Sequence, residues 1–167
     1  MALWRRIDSA SPAEARKLLT ECCGATRWVD GMLQRRPFGG HHAILIAARD
    51  VWWSLDLNDW REAFSHHPKI GDADSLRSKF APTRALSESE QSGVASASVA
   101  VLEALARANL DYEERFGYIF IVCASGKTAD EMLHLLLARL PNPPATEIGI
   151  AAEEQAKITA LRLSRES

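Results

Sequence analysis

The sequence predicts an all-α fold, a single-domain bundle of about seven to eight helices with one extended segment. Three observations carry this. Apolar residues recur at spacings of three and four along most of the chain. Capping residues, prolines and glycines punctuate those stretches at their ends. Only one run is β-prone, and no second run of similar character exists to pair with it. The length of 167 residues suits one domain, 1–167, and a hydrophobic content of 47% is enough to build a core for it.

Ser11-Pro12-Ala13-Glu14 combines an N-cap serine, proline at the first helical position and a capping-box glutamate. Ala15, Leu18, Leu19 and Cys22 follow on one face, and Gly24 is the stop. Thr26 is expected to cap a second helix carrying Val29, Met32 and Leu33, which ends before Arg36-Pro37-Phe38-Gly39-Gly40. A third runs from about His42 through Ile44, Ala47, Ala48, Val51 and Trp52. A fourth starts near Asp56 and spaces Leu57, Trp60 and Phe64 at helical intervals into His66-His67-Pro68. The polar stretch from Gly71 to Thr83 reads as a surface loop or short helix. Ser87-Glu88-Ser89-Glu90 then opens a long helix whose inner face collects Val94, Ala97, Val101, Leu105 and Ala108, ending before Gly117. The β-prone run is Tyr118-Ile119-Phe120-Ile121-Val122-Cys123, read as an extended segment packed between helices. Thr128-Ala129-Asp130-Glu131 is another capping box, for a helix through Met132, Leu135, Leu136 and Leu140 that Pro141, Pro143 and Pro144 terminate. The last helix is expected from about Thr146 to the C-terminus.

Composition excludes several classes of function. A net charge of -2, with Arg and Lys spread among acidic residues, offers no basic field for nucleic acid. No apolar run reaches the roughly 18 residues of a membrane span, and Met1 to Asp8 lacks the apolar centre of a secretory signal, so a cytoplasmic protein is expected. Cys22, Cys23 and Cys123 form no C-x-x-C pair and leave an odd thiol, which fits a reducing compartment.

Three polar constellations stand out. In Phe64-Ser65-His66-His67-Pro68-Lys69-Ile70-Gly71-Asp72, proline disfavours the α region for His67 and should hold it extended, out of the helix, where an imidazole can face a pocket. A helix exit with surface histidines explains the same residues. Ser87, Glu90 and Gln91 lie at a helix N-terminus, whose free amides and partial positive charge suit an anionic ligand. A capping box alone accounts for Ser87 and Glu90 equally well. On the last helix Ile148, Ala151, Gln155, Ile158 and Arg162 share a stripe, and an arginine on an apolar stripe requires a ligand carboxylate or an internal one.

Taken together, these residues make the sequence resemble the family of 2-oxo-4-hydroxy-4-carboxy-5-ureidoimidazoline (OHCU) decarboxylases of urate degradation. The likeness runs along nearly the whole chain. It includes Cys22-Cys23-Gly24 with Trp28, Arg36-Pro37-Phe38, Trp60 with Glu62-Ala63-Phe64, His67-Pro68-Lys69-Ile70-Gly71-Asp72, and Ser87 with Glu90-Gln91. It continues through Asn109 with Tyr112, Arg115-Phe116-Gly117-Tyr118, Phe120-Ile121, Gly126, Arg139-Leu140 and Arg162-Leu163. The family often has arginine in place of Lys69.

The resemblance implies an all-helical, cofactor-free carboxy-lyase that converts OHCU to (S)-allantoin and carbon dioxide. It implies His67 as general acid and Glu90 as the carboxylate that orients the substrate hydroxyl or the imidazole. Ser87 and Gln91 would hold ureido and ring atoms, and Pro68 would position His67. Main-chain groups of Ile119, Phe120, Ile121, Val122 and Cys123 would bond the ring and line the pocket, Arg162 would clamp a carboxylate, and Phe38 would wall the site. A homodimer is implied as well, and the five tryptophans, Trp4, Trp28, Trp52, Trp53 and Trp60, are more than one small core easily hides. Functional pairing with the upstream hydrolase is a further expectation. Two rivals remain at this point. One is a non-catalytic helical interaction module. The other is a metal enzyme using His41, His42, His66 and His67, although adjacent histidines point apart on a helix and no H-x-x-E-H motif accompanies them.

Overall fold

The computed structural model describes residues 1–68 and 88–166, the side chains of 88–98 excepted. The helices among the described residues are α1 (Leu3–Ser9), α2 (Pro12–Cys22), α3 (Thr26–Gln34), α4 (His41–Trp53), α5 (Leu57–Ser65), α6 (Glu88–Phe116), α7 (Ala129–Arg139) and α8 (Pro144–Leu163). The described residues contain no strand, only an isolated bridge between Ala2 and Glu166, so the all-α expectation holds. None of these helices is long and apolar enough to cross a membrane.

The chain divides into two compact units: Met1–His67 with Ile121–Cys123 and Ile148–Ser167, and Pro68–Phe120 with Ala124–Glu147. In the first, α3 packs against α2, α4 and α5, and α1 packs on α2. Trp28 and Trp52 are buried in its core, and each indole N–H finds a carbonyl, Ala48 at 3.1 Å and Ala152 at 3.0 Å. Those two tryptophans are core residues. Trp53 remains 44% exposed, edge-on to Trp60 with ring centroids 5.7 Å apart.

Cap chemistry sets several of the helix ends. Ser11 accepts from the Glu14 N–H, Asp56 and Asp59 form a reciprocal capping box on α5, and Thr128 accepts from the Glu131 N–H. Gly117 closes α6 with φ of +80° and donates to the Glu113 carbonyl at 2.8 Å, a left-handed stop that a glycine adopts without strain. Three features depart from the sequence reading. The first is α1, which has no side-chain cap and buries only Ile7, so nothing local announces it; its packing on α2 holds it instead. The second is the start of α3, where Thr26 is the first helical residue rather than the cap. Its N–H donates to Glu62 Oε1 at 2.6 Å and its hydroxyl to Oε2 at 3.0 Å, so the carboxylate arrives from α5. The third is α8, which begins two residues earlier than expected because Pro144 sits at the first helical position, where a missing N–H loses nothing.

Asp8 at the end of α1 accepts from the Phe38 N–H at 2.9 Å and the Gly39 N–H at 2.9 Å, while Arg36 donates to the Ala10 carbonyl at 2.5 Å. The Arg36-Pro37-Phe38 turn is thus tied to α1. In the second unit α6 packs on α7 around a buried polar centre. Glu147 is fully buried and accepts from Tyr112 Oη at 2.6 Å, from Arg139 Nε at 2.7 Å and from Asn142 Nδ2 at 3.0 Å. Burial and the Glu147 acceptor together push the Tyr112 hydroxyl well above its ordinary range. Arg139 also lies over the Phe120 ring, 4.4 Å from its centroid. A buried charge so fully bonded is sensitive to loss of any one partner, since truncation leaves the others unsatisfied.

Candidate active site

His67 follows directly on α5. The helix ends because the His66 and His67 N–H groups bond back to Ala63 and Phe64, each at 3.2 Å, and Pro68 has no N–H to continue the ladder. His66 then packs its ring against bare backbone: a β-carbon at Gly24 would lie 2.2 Å from His66 Cγ. Gly24 is therefore part of the seat for the paired histidines.

A cavity of about 290 Å³ opens beside them. Thr20, Glu21 and Gly24 line it from α2 and the turn after it, Ala63, His66 and His67 from the end of α5, and Gln155, Arg162 and Arg165 from α8 and the segment after it. Two guanidinium groups face one carboxylate, a balance that favours an anionic ligand. His67 Nε2 lies 2.5 Å from Gln155 Oε1, and Gln155 is 1% exposed. Burial holds the His67 imidazole below its ordinary value of 6.5; the Gln155 carbonyl opposes this, and Arg162 and His66 reinforce it.

Arg162 donates to the Cys22 carbonyl at 3.3 Å and to the Glu21 carbonyl at 3.5 Å. These are carbonyls at the C-terminal end of α2, where a helix places its negative pole. Among the described residues no carboxylate stands within ion-pair distance of Arg162. The internal aspartate considered from sequence is not found there, and the guanidinium keeps its charge available to the cavity. The two thiols near it are not reactive groups: burial raises Cys22 to about 12 and Cys23 to about 11, so both stay protonated.

The remaining expected site residues are placed as follows. Pro68 is described and exposed, whereas Lys69 through Ser87 lie outside the described residues, and with them Gly71, Asp72 and Ser87. Glu90 and Gln91 belong to the first turn of α6, with their side chains outside the description, as are those of Val94 and Ala97. Ile119 and Phe120 belong to the second unit and Ile121, Val122 and Cys123 to the first, and the run is neither helix nor strand. The Cys123 N–H donates to Glu154 Oε1 at 3.1 Å, so a side chain takes the amide that the sequence reading reserved for a ligand. Phe38 is half-buried on the turn tied to Asp8 and does not line the cavity around His67. Among the described residues no three His, Cys, Asp or Glu side chains converge as a metal-binding group would require.

Gln155 and Gly24 are the residues that sequence reasoning passed over. Gln155 sits on the same stripe as Arg162, seven residues and two turns earlier, and an amide on an apolar stripe carries the same requirement for a partner. Gly24 reads from sequence as a helix stop and as part of the Cys22-Cys23-Gly24 stretch, neither of which points to His66.

Comparison with known proteins gives the family of this chain. The uric acid degradation bifunctional protein of Arabidopsis thaliana is 44% identical over 147 residues, 86% of this chain, although the chain spans only 44% of that protein's length. The 2-oxo-4-hydroxy-4-carboxy-5-ureidoimidazoline decarboxylase of Amia calva is 31% identical over 128 residues, covering 77% of this chain and 73% of its own. A crystal structure of OHCU decarboxylase in the presence of (S)-allantoin superposes with a TM-score of 0.69 at 40% identity, over 86% of this chain and 92% of that one. The sequence profile described as OHCU decarboxylase matches residues 8–164, a span that holds every side chain lining the cavity except Arg165, and by that match the chain belongs to the OHCU decarboxylase family.

Proposed function

We propose that this chain decarboxylates 2-oxo-4-hydroxy-4-carboxy-5-ureidoimidazoline to (S)-allantoin and carbon dioxide, with His67 delivering the proton. The observation that carries the reading is the pairing of His67 and Arg162 on one cavity in a chain of this family. The substrate supplies its own electron sink. Its carboxylate-bearing carbon also bears a hydroxyl and adjoins a C=N bond, so the electron pair of the breaking C–C bond flows into that imine as carbon dioxide leaves. The former imine nitrogen takes a proton as the pair arrives, and the resulting enol-like intermediate then takes a proton on carbon while the hydroxyl proton passes to solvent and a carbonyl forms. What the protein adds is orientation, charge placement and a proton aimed at one face.

Arg162 holds the carboxylate in a two-pronged contact, and Arg165 adds positive potential. Glu90 orients the substrate hydroxyl or the imidazole, with Ser87 and Gln91 on the ureido and ring atoms, Ile119 to Cys123 against the ring and Phe38 at its margin. Burial disfavours the imidazolium in the empty site, and a carboxylate brought to it, from Glu90 or from the substrate, favours it again. Protonation of the acid is thereby coupled to filling of the site. No cofactor enters this scheme. We read residues 1–167 as one functional domain, acting in the cytoplasm as a homodimer; the exposed Trp53 and Leu57 support a self-complementary face. Relatives described as bifunctional uric acid degradation proteins support pairing with an upstream hydrolase.

The test is turnover of freshly generated OHCU, followed by the optical activity of the product. His67→Asn should lose roughly 10²-fold or more in kcat with KM within a few-fold, as removal of a general acid does, and His66→Asn should be mild. A chain that turns over no substrate, or equal losses at the two histidines, would reject the reading.

A further inference from the structure

Behind His67 lies a chain of polar contacts that the decarboxylation scheme does not use. The Gln155 amide that meets His67 Nε2 at 2.5 Å donates from its Nε2 to Thr159 Oγ1 at 3.1 Å, one turn further along α8. The Thr159 hydroxyl lies in turn near the Cys23 thiol. Gln155, Thr159 and Cys23 are 1%, 5% and 1% exposed, so water does not substitute for these partners.

Directionality passes along this chain. The amide places its NH₂ against Thr159 Oγ1 and its carbonyl oxygen against His67. A carbonyl oxygen accepts and cannot donate, and the ring nitrogen against it must therefore carry hydrogen. We propose that Gln155, held by Thr159, is a positioning residue that keeps His67 in the tautomer with hydrogen on Nε2, leaving Nδ1 as the nitrogen that exchanges a proton with the substrate. The proton given up in catalysis then leaves from Nδ1, and the neutral ring returns to the Nε2–H form without turning over. A histidine held on one nitrogen by a fixed acceptor keeps its other nitrogen aimed, which is the part a buried acceptor plays beside catalytic imidazoles in general.

The charged and titratable groups that share the cavity with His67 are Glu21 from α2, His66 beside it, and Arg162 and Arg165 after it. None of them is the Nε2 partner. Gln155 is neutral, so it sets the tautomer without fixing the charge, and the imidazole stays free to titrate.

The inference rests on His67 being the proton donor, but its first measurement does not need turnover. In the full-length protein, side-chain ¹⁵N spectra of the histidines, with His67 assigned by its loss in His67→Asn, should show neutral His67 with hydrogen on Nε2. Gln155→Leu should mix the tautomers and lower kcat tenfold or more with KM within a few-fold. It should also move the high-pH fall of kcat to lower pH, because an acceptor favouring the imidazolium is gone. Gln155→Glu keeps an acceptor and adds charge, so it should retain the Nε2–H form and move the same limb to higher pH. Thr159→Val should give a weaker copy of the leucine variant. A resting His67 with hydrogen on Nδ1 would overturn the proposal. So would equal losses in the leucine and glutamate variants with the pH limb unmoved, since that is the mark of packing alone. Should Gln155→Leu fail to fold, the glutamate and valine variants decide. A wild-type chain that shows the Nε2–H tautomer yet turns over no substrate refutes the decarboxylase reading, and with it the proton-transfer role given to Nδ1.

Discussion

Gly24→Ala tests whether the paired histidines are seated by backbone rather than by side chains. A β-carbon at position 24 would lie 2.2 Å from His66 Cγ and 2.6 Å from both Cβ and Cδ2. Ordinary carbon contacts begin near 3.5 Å, so the ring must withdraw by about 1 Å. It cannot do so by rotating alone, because its own β-carbon is among the clashing atoms, and the backbone at the end of α5 must move with it. His67 is the next residue. Overpacking of this kind destabilises by about 1–3 kcal/mol. A displacement of about 1 Å at a catalytic group can lower rate on the order of 10²-fold. The expected result is a urea midpoint shifted by that amount and a kcat reduced more than the stability loss accounts for under conditions where the variant is fully folded. Adding His66→Gly removes the three nearest clashing atoms, so the double variant should recover kcat relative to Gly24→Ala, with a coupling of about 1 kcal/mol or more. A Gly24→Ala protein of unchanged stability and rate would refute the account of the seat, and a double variant no better than the single would show that the loss arises elsewhere.

Three further outcomes follow from the same site. Arg162→Lys keeps the charge but not the planar fork that also spans the Cys22 and Glu21 carbonyls, so (S)-allantoin or substrate should bind more weakly by about 1–3 kcal/mol in titration calorimetry; unchanged affinity would remove the clamp. Glu90→Gln retains a side chain able to serve in a capping box, so it should preserve the melting temperature and lose most of kcat if the carboxylate is chemical, whereas an active, stable variant would reduce Glu90 to a cap. The pH dependence of folding has a definite sign. His67 is held below its ordinary 6.5 in the folded chain, so the unfolded chain binds more protons near that value, and the contribution of a neutral His67 is present above it and lost as pH falls through 6.5 toward the folded value. Urea titrations from pH 7.5 to 5 should show a steeper decline for the native chain than for His67→Asn, and parallel curves would contradict the burial account.

Helix existence was legible wherever the ends carried their own chemistry. Ser11 with Glu14, Asp56, Thr128 and Gly117 each act within one turn of the helix they bound, so a local reading finds them. The reading failed where an end is satisfied from a distance. Glu62 lies 36 residues from the Thr26 amide it receives, and α1 has no signal of its own because its stability comes from packing on α2. Within the site the same rule applies. His67 stands out because proline follows it, and Arg162 because a charge interrupts an apolar stripe. Gln155 was visible on that stripe but silent, since an amide can be satisfied in many ways and spacing does not say by which residue.

Those distances also separate the residues of the family motifs into two groups. Asp8 with the Phe38 and Gly39 amides, Glu62 with Thr26, and Arg139 with Tyr112 and Glu147 all close on protein partners inside the fold. Their removal is expected to be paid in stability. Arg162 instead donates at 3.3 and 3.5 Å, longer than a charge-assisted bond prefers, to carbonyls that carry only partial charge. His67 offers one nitrogen to Gln155 and stands on the cavity wall. A fold that satisfies Glu147 from three sides shows that it can neutralise a buried charge where structure alone demands it. Among the described residues Arg162 has only these weak partners beside an imidazole, and that placement is what the proposed clamp on an anionic substrate requires.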